Sequence, residues 1–173
     1  LGGGAVGGMK ALIKLATAQA LERKQFGRPI AEFGLVRGKI AQMMVDCFAA
    51  ESAVWMVAHY IDSGCDDYSA EAAMSKVFAS DAIQRTAHEA LQIAAGNGFM
   101  KEFPYEQVVR DSRILTIFEG TNEILRLFIA LTAIVVGTLL ALIVAVNVIE
   151  DTASQSSWAD IAIVVPWVNL AII

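Results

Sequence analysis

From Leu127 to Ile149 the chain runs for 23 residues, LFIALTAIVVGTLLALIVAVNVI, without one charged side chain. A helix crosses the hydrocarbon core of a bilayer with about 20 apolar residues at 1.5 Å rise each, so this run is long enough to span. Fifteen of its residues are Leu, Ile, Val or Phe, together worth roughly -4 to -9 kcal/mol for insertion. A four-helix bundle has no interior deep enough to hide such a helix on every side. Two origins stay open: a membrane anchor, and an abnormal junction such as a frameshift or an unspliced segment. A second apolar segment, IAIVVPWVNLAII at 161–173, contains Pro166 and is too short to span by itself.

All 13 basic side chains and 15 of the 18 acidic ones precede Leu127, so the chain divides into a charged region, 1–126, and an apolar tail, 127–173. Arg110, Arg113 and Arg126 flank the apolar run on one side only, and the positive-inside rule then places the charged region in the cytoplasm or the mitochondrial matrix. A net charge of -5 offers no basic footprint for phosphates and excludes nucleic acid as a partner. Cys47 and Cys65 are too few for a disulfide framework or a zinc site, and each is expected as a small buried hydrophobe. The opening LGGGAVGGMK carries no secretory n-region, and the chain reads as a fragment of something longer.

Within the charged region apolar residues recur at three and four. Val6, Met9, Ile13, Ala16 and Ala20 form one stripe. Val36, Ile40, Met43, Cys47, Ala50, Val54, Val57 and Ile61 form a second, and Ala73, Val77, Ile83, Ala87, Ala90 and Ala94 a third, interrupted by Ser80. The breaks GRPIAEFG and DSGCDDYS are rich in turn formers. Gly96 and Gly98 are placed to cap the third helix in the left-handed conformation. A further helix starts near Thr121, and no stretch has strand periodicity. The predicted fold is all-α: an antiparallel four-helix bundle followed by a hydrophobic helical tail.

Gly2, Gly4 and Gly7 satisfy G-x-G-x-x-G, but no strand precedes them, so close helix packing through small residues explains them better than a dinucleotide. His59 and His88 lack any i+4 partner, and no metal site is expected. Glu119 is different. It follows Ile117 and Phe118, precedes a glycine, and stands at a helix threshold. An apolar setting would tune it as a base, whereas a plain helix-start glutamate would be stabilised as an anion by the dipole.

The segment RDSRILTIFEGTNEILR, together with LERKQFGRPIAEF and ALQIAAGNGF in the same order, resembles the hallmarks of the flavin-dependent acyl-CoA dehydrogenases. The resemblance covers about residues 3–131 and the family's C-terminal helical domain, nearest to its long-chain and very-long-chain members. It implies that Glu119 is the catalytic base that takes the α-proton of a fatty acyl-CoA as the β-hydride passes to FAD, giving a trans-2-enoyl-CoA. The backbone N–H of Glu119 would then steady the developing enolate, with Phe118 and Gly120 against the substrate. For FAD the resemblance implies Arg23, Gln25 and Phe26, then Gln92 and Gly96, then Thr121 and Glu123. The first two sets would reach the flavin of a neighbouring subunit, which implies a homo-oligomer. It further implies an acceptor like the electron-transfer flavoprotein, a role in fatty acid β-oxidation, and no activity for this fragment alone. Ala95 departs from the family, which has glycine there. The competing reading is a non-enzymatic, membrane-anchored assembly module derived from the same family.

Overall fold

The computed structural model describes residues 1–155, so the apolar segment at 161–173 lies outside the described residues. In chain order the elements are α1 (Gly2–Glu22), β1 (Lys24–Gln25), β2 (Arg28–Pro29), α2 (Gly34–Asp62), α3 (Ser69–Ala94), α4 (Gly96–Phe99), α5 (Tyr105–Arg113) and α6 (Asn122–Gln155). Single 3-10 turns at Ile30–Glu32 and Ile114–Thr116 join β2 to α2 and α5 to the loop before α6. The all-α expectation holds. The chain divides into a compact unit, Leu1–Ile129, and a second unit from Ala130.

In the first unit α1, α2 and α3 pack on one another, and α5 packs on α3. Cross-helix pairs fix the directions. Lys39 with Glu89, and Asp46 with Arg85 at 3.1 Å, run oppositely along α2 and α3, whereas Gly2 faces Ser75 and Gly8 faces Ile83, so α1 and α3 run together. The seam is built largely from alanine. Ala16, Ala20, Ala87, Ala90 and Ala94 surround Leu12, Met43, Ile93 and Tyr105 in one cluster, and Ala5, Ala50, Ala79 and Ala82 surround Met9, Cys47 and Ile83 in the other. Small side chains let helix axes approach closely. Of the glycines in the N-terminal run, Gly2 and Gly8 carry this packing: a Cβ would come within 2.7 Å of Val54 Cγ2 or Ile83 Cδ1, while Gly4 and Gly7 face open space.

Three sequence expectations are corrected. A two-residue antiparallel ribbon pairs Gln25 with Arg28, too short to carry any periodicity. The left-handed residue that ends α3 is Ala95, at φ 54° and ψ -125°, not Gly96 or Gly98, which lie in α4. Cys47 is buried as expected, but Cys65 is exposed, one turn past the end of α2.

In the second unit the α6 side chains from Ala133 to Asp151 are exposed. Thr138 and Asn147, within its apolar stretch, bond back to the helix: Thr138 Oγ1 donates to Ile134 O at 2.8 Å and Asn147 Nδ2 to Ile143 O at 2.8 Å. Asn122–Thr152 is long and apolar enough to cross a membrane. By length and composition so is α2, but α2 uses Lys39, Asp46 and Glu51 in pairs with its neighbours.

Candidate functional site

After the Ile114–Thr116 turn, Phe118 N still donates to Ile114 O at 3.1 Å, and then the backbone reverses hand. Glu119 has φ 55° and Gly120 φ 92°. Thr121 opens α6 as its cap, accepting Ile124 N on Oγ1 at 3.4 Å and Leu125 N on its carbonyl at 3.0 Å. The backbone N–H of Glu119 has no hydrogen-bond partner among the described residues. Glu119 itself is exposed, as are Ile117 and Phe118, so the apolar enclosure that its flanks suggest is not supplied by the described residues. Glu123 is held below the usual carboxylate range by its own backbone N–H and the Thr121 hydroxyl, with Arg126 and Arg113 adding to the effect.

Beneath this turn lies a polar cluster absent from the sequence expectations. Lys76 Nζ donates to Gly120 O at 2.7 Å and to Asn122 Oδ1 at 2.8 Å. Asn122 Nδ2 donates to Ser80 Oγ and to Asp81 Oδ1, each at 2.9 Å, and Asp81 pairs with Arg126. Lys76, Ser80 and Asn122 are all buried. Burial pulls the Lys76 ammonium below the ordinary lysine range, against the pull of the Glu119, Asp81 and Glu123 charges. One signal was available: Lys76 and Ser80 stand four apart beside the apolar stripe of α3, on a face where an unpaired charge would be costly.

The remaining candidates gather at the other end of α3. Arg23, Gln25, Phe26 and Gln92 line a hollow of about 340 Å³, with Ile30, Phe33 and Ala95 in its wall, and Gly96 follows directly at the start of α4. Phe26 and Gly27 are the two central residues of the ribbon's turn, at φ 51° and 81°, the mirror-image hairpin geometry. That turn leaves Phe26 92% exposed. Arg28 lies over the Phe33 ring at 4.3 Å, whereas the Arg23 guanidinium has no ion-pair partner among the described residues. An unpaired planar fork on the rim of a hollow has the chemistry to bind a pyrophosphate. Lys76 and Gln92 are sixteen residues apart on α3, about 24 Å along a helix. Thus Glu119, Gly120, Thr121 and Glu123 form one group, Arg23, Gln25, Phe26, Gln92 and Gly96 another, and one chain does not bring the two together. A larger groove of about 670 Å³ between α2 and α3 contains none of these residues.

Comparison with known proteins bears on both groups. Residues 1–134 match the family model described as acyl-CoA dehydrogenase, C-terminal domain. The chain is 48% identical over 125 residues to the mitochondrial very long-chain specific acyl-CoA dehydrogenase of Bos taurus, covering 72% of this chain and 19% of that one. Among solved structures, butyryl-CoA dehydrogenase from Megasphaera elsdenii superimposes with a TM-score of 0.72 at 32% identity, over 75% of this chain and 34% of that one. The FAD complex of PigA does so with a TM-score of 0.71 at 27% identity, over 74% and 33%. The chain therefore spans about a fifth of the very long-chain relative and about a third of the two structures. By its sequence, its helical fold and the order of its motifs, it belongs to the acyl-CoA dehydrogenase family and carries that family's C-terminal domain.

Proposed function

We propose that this chain is the base-bearing part of a flavoenzyme that oxidises a fatty acyl-CoA to its trans-2-enoyl-CoA. The observation that carries the reading is the turn at Glu119, where a non-glycine residue at φ 55° keeps its backbone N–H unpartnered beside its own carboxylate. One residue then offers two functions. The carboxylate takes the α-proton, and the N–H donates to the thioester oxygen on which negative charge develops. Gly120 leaves the approach to that N–H clear, and Phe118 provides an apolar wall for the acyl chain. Bound FAD would supply the hydride acceptor. Thr121 and Glu123 would hold it from the first turn of α6, and Arg23, Gln25, Phe26, Gln92 and Gly96 from a neighbouring copy. The separation of the two groups along α3 supports that division. So does α2, whose exposed Met44, Phe48 and Trp55 offer an apolar face to a second subunit. Electrons would leave through an acceptor like the electron-transfer flavoprotein, in the matrix or the bacterial cytoplasm. Replacing Glu119 by Gln in the flavin-loaded dehydrogenase should leave FAD bound and lower turnover by at least about 100-fold. Undiminished turnover would place the base elsewhere.

A second reading rests on α6, whose exposed apolar side chains, with Thr138 and Asn147 bonded back to the helix, suit a bilayer. Membrane anchoring is compatible with the enzyme, and it is also what a non-enzymatic assembly module would need. Fractionation decides the anchor. Recovery of the intact chain, tail included, in the soluble fraction after low-salt lysis would rule it out.

A further inference from the structure

We propose that Lys76 is a positioning residue, the tether that holds the Glu119–Gly120 turn in its left-handed form and so aims the base. The inference rests on the reading of Glu119 just given. At Phe26 and Gly27 the same pair of positive φ values is held by the strands on either side, but no ribbon flanks Glu119 and Gly120, and outside a hairpin a residue bearing a Cβ does not keep a positive φ through local preference. Something outside the loop must over-determine them. The capping bonds of Thr121 organise the helix that follows, and the Phe118 bond closes the turn that precedes. Neither reaches the peptide between Glu119 and Thr121. The contact that does is Lys76 Nζ on Gly120 O at 2.7 Å, from a helix 44 residues earlier in the chain.

The tether is itself fixed. Its second acceptor, Asn122 Oδ1, belongs to an amide whose nitrogen is committed to Ser80 and Asp81, so that acceptor cannot turn away from the ammonium without breaking two further bonds. A compact ammonium on a flexible stem suits two converging oxygens in a buried corner, where a planar guanidinium would not. The surrounding carboxylates of Glu119, Asp81 and Glu123 offset the charge.

Two experiments test the tether. In the full chain in detergent micelles, NMR should show a through-hydrogen-bond coupling between Lys76 Nζ and the Gly120 carbonyl carbon, and left-handed backbone shifts at Glu119. In Lys76→Met those shifts should move to an ordinary right-handed or extended turn while Met9 and Ala87 in the core keep theirs. Persistence of the left-handed shifts in the variant overturns the proposal. So does absence of the coupling in the unsubstituted chain, a result that does not depend on the variant folding. In the flavin-loaded dehydrogenase Lys76→Met should lower kcat per bound flavin about 100-fold with KM for acyl-CoA within about threefold. A loss confined to flavin content or to KM would make Lys76 merely structural. Glu119→Gln run alongside separates the two claims: an active Glu119→Gln with displaced shifts in Lys76→Met removes the base and leaves the tether.

Discussion

Ala95 is the residue whose side chain most plainly works against its own backbone. At φ 54° and ψ -125° it occupies a conformation suited to glycine. It cannot relax, because its N–H is held by Leu91 O and Gln92 O at 3.1 and 3.2 Å, and its carbonyl accepts Gly98 N at 2.9 Å. Ala95 is exposed, so deleting its methyl group sacrifices little buried area. Strain of this kind costs about 1 to 3 kcal/mol, and glycine returns about 0.5 to 1 kcal/mol through the freedom it gives the unfolded chain. Ala95→Gly should therefore stabilise the helical unit by roughly 1 kcal/mol, or about 3 to 5 °C in Tm. Ala95→Val, branched at Cβ, should destabilise it. The assay is urea unfolding of the chain in micelles followed by far-UV circular dichroism, in which the midpoint moves and the m-value does not. A lower midpoint for Ala95→Gly, the usual outcome at an unstrained site, would refute the reasoning.

Further expectations follow from other positions. Gly98→Ala would set a Cβ 2.4 Å from the Leu91 carbonyl oxygen, which belongs to the backbone, and should cost about 1 to 3 kcal/mol in the same titration. Cys65 is exposed while Cys47 is buried, and burial pushes the Cys47 thiol up, so iodoacetamide at neutral pH should label Cys65 first and Cys47 only on unfolding, as read by mass spectrometry. Asp67 accepts both the N–H and the hydroxyl of Ser69 at the head of α3, and these bonds hold its carboxyl below the ordinary range. Its folded pKa is therefore depressed, so its contribution is present above the ordinary carboxylate pKa and lost as pH falls through the folded value. Asp67→Asn should flatten that part of the acid-unfolding profile.

The three long helices were legible because each buries a stripe at helical spacing and ends at turn formers, as at Gly34 and Asp62. The turn at Glu119 was legible as a motif but not as a geometry. Its hand depends on Lys76, and although the place of Lys76 beside the apolar stripe of α3 hints that it is buried, nothing in the sequence names as its acceptor a carbonyl 44 residues away. The strain at Ala95 was hidden for a related reason. Gly96 and Gly98 attract the left-handed assignment by residue type, but the bonds that set the cap fall one residue earlier. The ribbon at Lys24–Pro29 was invisible because two residues per strand make no pattern.

That ribbon has one more consequence. Its turn thrusts the Phe26 ring into solvent, crossed at 87° by the Phe33 ring at 6.2 Å between centroids. An aromatic tip left this bare is completed by whatever next covers it. On the reading that it covers the flavin of another copy, holding the cofactor becomes a matter of protein concentration as much as of cofactor concentration. Dilution would release flavin together with the neighbour, and occupancy would rise more steeply than a single-site isotherm as protein is added back.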